Sequence, residues 1–168
     1  SIRRQRQMCI RDRDWDVPSC RAIEAEYWRT LNLGMPPMYG ADQQGTLFDD
    51  RTTQWNVGTL DSLLSRTLKC ALPGVTTPYL YFGMWRASFA WHVEDMDLYS
   101  INYIHFGAPK QWYAIRQADR KRFESVMAST FPAEARKCAH FLRHKSFLVS
   151  PSVLASHGIQ PLRLVQHA

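Results

Sequence analysis

Between Tyr79 and Ile115 the chain reads as four runs, YLYFGMW, SFAWHVE, LYSINYIHF and KQWYAI, dense in aromatic and β-branched residues and parted by short turns. Side chains of that kind suit a pleated, half-buried surface, so a strand meander is the feature that most constrains the fold. Gly107-Ala108-Pro109 is expected to join the last two runs as a hairpin. Helical spacing appears on both sides of the meander. Ser19 is expected to cap a helix over residues 20–32, closed by Gly34, and Leu60, Leu63, Leu64, Thr67 and Leu68 recur as in a helix over 59–70. Further helices are expected in ADRKRFESVMAS, in PAEARKCAHFL behind Pro132, and from Ser150-Pro151 to Gly158, with a short strand SFLV before the last. Helices first, aromatic strands next and helices after them predict a mostly β fold with α: a β-barrel or jelly-roll core decorated by helices.

At 168 residues and 45% hydrophobic composition the chain can bury one real core. No apolar run approaches the roughly 20 residues that span a bilayer, so no membrane association is expected. No secretory signal is visible either, and the four cysteines (Cys9, Cys20, Cys70, Cys138) form no C-x-x-C pair, which predicts a reducing, intracellular setting. The net charge of +6 invites a nucleic-acid reading, but residues 1–13 hold five of the 21 basic residues and one of the 15 acidic ones, leaving 16 against 14. That SIRRQRQMCIRDR run is read as a non-native or disordered basic segment, resembling translated adapter read-through. Direct DNA binding by the rest of the chain is not supported.

His92-Val93-Glu94 is the first constellation with chemistry in it. In an extended segment residues two apart face the same way, so an imidazole and a carboxylate can meet at one point. That is half of the two-histidine, one-carboxylate face of non-haem iron oxygenases. Taken alone, H-x-E is a weak signal, because a half-exposed strand with a solvated Glu reads the same. Lys110 and Trp112 add to it: two apart on one strand, they share a face, turning an ammonium and an aromatic wall toward one cavity. An ammonium in a pocket needs an anion, and a dicarboxylate cosubstrate meets that need.

The segment TPYLYFGMWRASFAWHVEDMDLYSINYIHFGAPKQWYAI resembles the core of the Jumonji C (JmjC) histone lysine demethylases, in particular the JmjN/JmjC subfamily acting on trimethylated lysines at the ninth and thirty-sixth positions of histone H3. The similarity runs from about Tyr27 to the end and includes NLGMPPMYGADQQGTLF, FLRHKSFLVSP and LASHGI. It implies an iron(II)- and 2-oxoglutarate-dependent oxygenase on a double-stranded β-helix, incomplete in this chain, with a helical linker at 14–45 and the N-terminal portion of the JmjC domain at 46–168. His92 and Glu94 would bind iron. Tyr39 and Lys110 would hold the distal carboxylate of 2-oxoglutarate, with Phe89, Asn102 and Trp112 lining its site. Gly74, Tyr81 and Glu94 would surround the methylated ammonium with oxygens, and Asp42 and Lys145 would stand at the substrate groove and the approach to the iron. Cys138 and His144 match two ligands of the family's structural zinc site. The implied partners are the methylated histone H3 tail and chromatin, and the implied location is the nucleus.

The resemblance also has gaps. The family's third iron ligand is a histidine in a later strand, within a motif resembling YHAGFN, and its remaining zinc ligands are a later cysteine pair; neither matches a stretch of this sequence. Gln166-His167-Ala168 aligns with the stretch that precedes that strand, so His167 is not assigned to iron, and His105, His140 and His157 are read as ordinary histidines. The 168 residues alone are therefore expected to bind iron weakly, to show no turnover and to expose sheet edges. Arg116 replaces the proline usual after YAI, a surface change. Two other readings remain: a JmjC protein hydroxylase, and a non-catalytic chromatin-binding module.

Overall fold

The computed structural model describes residues 16–168. The reading of residues 1–13 as a non-native or disordered segment lies outside the described residues. The helices are α1 (Val17–Thr30), α2 (Leu63–Leu68), α3 (Arg120–Thr130), α4 (Pro132–Lys137) and α5 (Pro151–Ser156). The strands are β1 (Tyr39–Gln44), β2 (Tyr79–Gly83), β3 (Lys110–Ala114) and β4 (Leu162–Gln166). Two antiparallel pairs, β1 with β2 and β3 with β4, make two small sheets, and among the described residues no closed barrel forms. The chain divides into two compact units.

The first unit holds the described residues up to Asn32 together with Phe89–Ser100 and Phe106–Ala168. Its core is Phe123, Val126 and Met127 on one stripe of α3, packed with Phe141, Val149, Leu154 and Ile159. The stripe follows the three-and-four spacing of a helix that buries one face. α5 begins where Ser150 accepts from the Val153 N–H with Pro151 in the first turn. It ends in a paired turn: the Gly158 N–H (φ 73°) donates to the Ala155 carbonyl, and the Ile159 N–H to the Leu154 carbonyl. That turn drops fully buried Ile159 into the core beside Leu154 and leads the chain into β4. β4 then pairs with β3 in the register Lys110 to Gln166, Trp112 to Leu164 and Ala114 to Leu162. α1 is tied to β3 through Tyr113, whose hydroxyl donates to Glu24 (2.7 Å) and accepts from the Trp28 indole N–H (3.0 Å).

The second unit holds Leu33–Ser88 and Ile101–His105. β1 and β2 pair with a register shift between Gly40 and Gln43, where Asp42 adopts a left-handed backbone (φ 55°). A bulge of this kind re-aims the side chains it carries. Buried Asn56 is satisfied on both ends, donating to the Thr52 carbonyl and accepting from the Gly58 N–H. Phe48, Tyr103 and His105 form a cluster of three mutually touching rings.

Several sequence expectations are corrected. α1 starts earlier than expected because Asp16, not Ser19, is the cap: its carboxylate accepts from the Ser19 N–H. α2 is shorter than 59–70, since Ser62 and Ser65 close a reciprocal capping box and Lys69 turns left-handed. SFAWHVE, LYSINYIHF and SFLV join no ladder, and the expected hairpin at Gly107-Ala108-Pro109 is not made. Met96 and Asp97, both at positive φ, break the extension between the second and third runs, and β3 finds its partner in Leu162–Gln166 instead. Strand propensity reflects packing against a neighbour, and here the neighbour lies elsewhere in the chain.

Candidate active site

In the first unit, Lys110 and Trp112 leave β3 on one face, as their spacing predicted. The Lys110 ammonium stands 5.5 Å from the Trp112 ring centroid and 6.0 Å from that of Phe89. Phe89 packs on Trp112 (5.1 Å between centroids) and meets His92 edge-on (5.7 Å). Four expected site residues, Phe89, His92, Lys110 and Trp112, thus form one contiguous patch. Burial holds the Lys110 amine below the ordinary lysine pKa, and a desolvated ammonium on two aromatic faces is a ready receptor for a carboxylate.

His92 is placed by its neighbours. Trp91 fastens the segment to the core: its N–H donates to the Phe147 carbonyl (3.3 Å), its indole N–H to the Val149 carbonyl (3.0 Å), and its ring packs on Phe123 and Tyr113. The chain bends there, which brings Phe89 against His92 although the two differ in parity. His92 Nδ1 lies 2.8 Å from the Ala90 carbonyl oxygen. A carbonyl only accepts, so Nδ1 is the donor in this contact, which turns Nε2 into the nitrogen that a metal could take, the arrangement expected of a ligating imidazole. Glu94 follows, half-buried, with extended backbone (φ −63°, ψ 153°) at the entrance to the 95–97 turn. These two donors have the right chemistry for iron(II). Among the described residues no group of three or more His, Cys, Asp or Glu converges on a metal position, so the pair does not complete a ligand set there. Lys145, also at positive φ, forms an ion pair with Asp95 at 3.2 Å. Cys138 is partly buried at the end of α4, and His144 is exposed in the 141–144 turn.

In the second unit, Tyr39, Asp42 and Tyr81 gather on the β1–β2 pair. The Tyr39 and Tyr81 rings lie 6.1 Å apart, and the Tyr81 hydroxyl donates to Asp42 Oδ1 at 2.7 Å. Burial, then the Asp42 carboxylate, pushes the Tyr39 pKa up, so its hydroxyl stays a donor. Gly74 (φ 75°) lies so close to the Tyr79 ring that a Cβ would collide with it. Asn102 is exposed and lies outside any strand.

Sequence reasoning missed three contributors: Trp91 as the anchor of His92, Asp95 as the partner of Lys145, and Gln166, whose Oε1 accepts from the Trp112 indole N–H at 2.8 Å. Trp91 sits in a run already marked as aromatic, and its position beside His92 was a usable signal. Gln166 carried none, because only the β3–β4 register places it opposite Lys110.

His92 and Glu94, an imidazole and a carboxylate two apart, thus lie in the same unit as a half-buried ammonium on an aromatic wall that reaches His92 through Phe89. The family model for the JmjC domain, hydroxylase, matches residues 79–168, and the chain belongs to that family. Over 149 residues, 87% of its length, it is 51% identical to lysine-specific demethylase 4D of Rattus norvegicus. Over the same span it is 50% identical to probable lysine-specific demethylase 4F of Homo sapiens and to lysine-specific demethylase 4B of Mus musculus. The chain spans 29%, 23% and 14% of those three relatives, respectively.

Proposed function

We propose that the protein carrying this chain is an iron(II)- and 2-oxoglutarate-dependent histone lysine demethylase that removes methyl groups from trimethylated and dimethylated lysine on histone H3. The observation that carries this reading is the half-buried Lys110 ammonium over Trp112 and Phe89, with Phe89 in contact with His92. Three relatives named as lysine-specific demethylases support it.

In this reading His92 Nε2 and Glu94 hold the iron, and a further ligand completes the set from outside the described residues. With dioxygen as the oxidant, iron and the keto acid would supply the chemistry that hydroxylates an N-methyl group: one oxygen atom would go to succinate, formed with carbon dioxide, and the other to the methyl carbon, which would leave as formaldehyde. The residues of the chain do the positioning. In the first unit, Lys110 would bind the distal carboxylate of 2-oxoglutarate by charge, with Phe89 and Trp112 as the wall beside it; the family resemblance assigns the Tyr39 hydroxyl and Asn102 to the same ligand. The Tyr81 hydroxyl donates its hydrogen bond to Asp42, so toward a methylammonium that has no N–H to donate it would present its oxygen. The family resemblance would assign the Gly74 carbonyl and Glu94 to that cation as well. Asp42 stands at the substrate groove and Lys145 at the approach to the iron. Cys138 and His144 supply two ligands of a structural zinc ion, and the substrate implies a nuclear protein that works on chromatin. The double-stranded β-helix of the JmjC fold is the scaffold, with its domain beginning near residue 46.

Mass spectrometry of a trimethylated H3 peptide after incubation with the full-length protein, iron(II) and 2-oxoglutarate tests the proposal. Loss of a methyl group with one formaldehyde and one succinate per event is the expected result. A stable gain of one oxygen without formaldehyde would assign the protein to the hydroxylases instead, and no turnover with intact iron binding would leave a chromatin-binding module.

A further inference from the structure

We propose that Gln166 is a positioning residue for the cosubstrate pocket, acting through the indole of Trp112; the inference rests on the function proposed above. Gln166 is the cross-strand partner of Lys110 in the β3–β4 pair, so both side chains stand on one face of that sheet. Its Oε1 accepts from Trp112 Nε1 at 2.8 Å. An indole N–H only donates, so the amide must turn its oxygen toward the ring, and this fixes the orientation of both groups. The ring so held is the surface over which the Lys110 ammonium stands, and it packs on Phe89, which in turn abuts His92. Indole rotation about its side-chain torsions is therefore stopped by one polar contact on one edge and by Phe89 on its face. A side-chain tie adds stiffness, because the Gln111 amide nitrogen Nε2 donates both to the Trp112 carbonyl and to the Leu164 carbonyl across the sheet. A loosened ring would blur the wall that the keto acid packs against without removing any charge or metal ligand.

Removing one neutral hydrogen bond of this kind should weaken 2-oxoglutarate binding by about threefold to tenfold. The test uses the full-length protein loaded with manganese(II), which binds without turnover, and calorimetric titration with 2-oxoglutarate; the KM and kcat of the iron form are read alongside. Gln166→Met should raise the dissociation constant and the KM for 2-oxoglutarate by that factor, with kcat and peptide KM within twofold of the parent. Hydrogen exchange at the Trp112 indole N–H should speed up in the same variant. In a Trp112→Phe background, which has no N–H to hold, Gln166→Met should add nothing, because the two changes delete the same contact. Unchanged affinity in Gln166→Met, or an equal further loss in the Trp112→Phe background, overturns the proposal. Should Gln166→Met fail to fold, the indole exchange rate and 2-oxoglutarate affinity of Gln166→Leu decide in the same way. Lys110→Met separates the two levels: if it too leaves 2-oxoglutarate binding intact, the cosubstrate reading itself fails, and if it alone weakens binding, only the role of Gln166 fails.

Discussion

Replacing Lys110 by Met removes a charge while keeping an unbranched stem of similar length on the same two rings. A charge-assisted contact to a carboxylate contributes about 1.5–3 kcal/mol, so losing it should raise the KM for 2-oxoglutarate about 10-fold to 150-fold. Stability should move little. The cation–π contacts with Trp112 and Phe89 contribute about 0.5–1 kcal/mol each, and the Met sulfur on the same rings returns about 0.3–1.5 kcal/mol. Burial lowers the folded-state pKa of Lys110 below its ordinary 10.5. A lowered lysine pKa means that the folded state binds the proton less readily than the unfolded chain. The penalty is nil above the unfolded pKa, grows as the pH falls from there to the folded pKa, and stays constant below it. Lys110→Met removes that penalty, and its thermal midpoint at pH 7 should equal or exceed that of the parent. In the parent, KM for 2-oxoglutarate should climb on the alkaline side at a pH below the ordinary lysine value, and this climb should vanish in Lys110→Met. The assay is succinate formation by the full-length protein across pH and 2-oxoglutarate concentration, with calorimetric melting beside it. A KM within twofold of the parent, or a clearly lower melting temperature, would refute the reasoning.

Two other perturbations probe what holds the site. Met127 is fully buried at the centre of the α3 stripe, so Met127→Ala should cost about 2–5 kcal/mol of unfolding free energy in denaturant titration. Trp91→Phe deletes the indole donor to the Val149 carbonyl and leaves that acceptor unpaired, for about 1–3 kcal/mol of stability; because it loosens the anchor beside His92, iron affinity should fall as well, read by competition with a chelator.

The legible parts of this protein were those fixed by short-range rules. Phe123, Val126 and Met127 announced a buried helix face by spacing alone, and Ser150-Pro151 with Gly158 marked both ends of α5. Lys110 and Trp112 shared a face because strand parity is local. Strand pairing was not legible, since it depends on a partner far away in the chain: the aromatic run over 98–106 looked like the mate of β3, yet the mate is Leu162–Gln166. That single difference hid Gln166 from any reading of the site. Asp16 displaced Ser19 as the α1 cap because both residue types cap well and only the geometry of the first turn chooses between them. The zinc-type residues Cys138 and His144 had no local signal beyond the family resemblance, and they occupy neighbouring turns at the end of α4 and after it.

The claim on which everything else depends is that the imidazole of His92 and the carboxylate of Glu94 grip one and the same metal ion. Equilibrium binding of manganese(II) to the full-length protein, measured for the parent, His92→Ala, Glu94→Ala and the double variant, addresses it directly. Shared ligation requires each single change to weaken binding by at least tenfold and the double variant to lose far less than the two losses combined, since ligands of one ion are coupled. Parent-like affinity in either single variant, or losses that simply add, would contradict it.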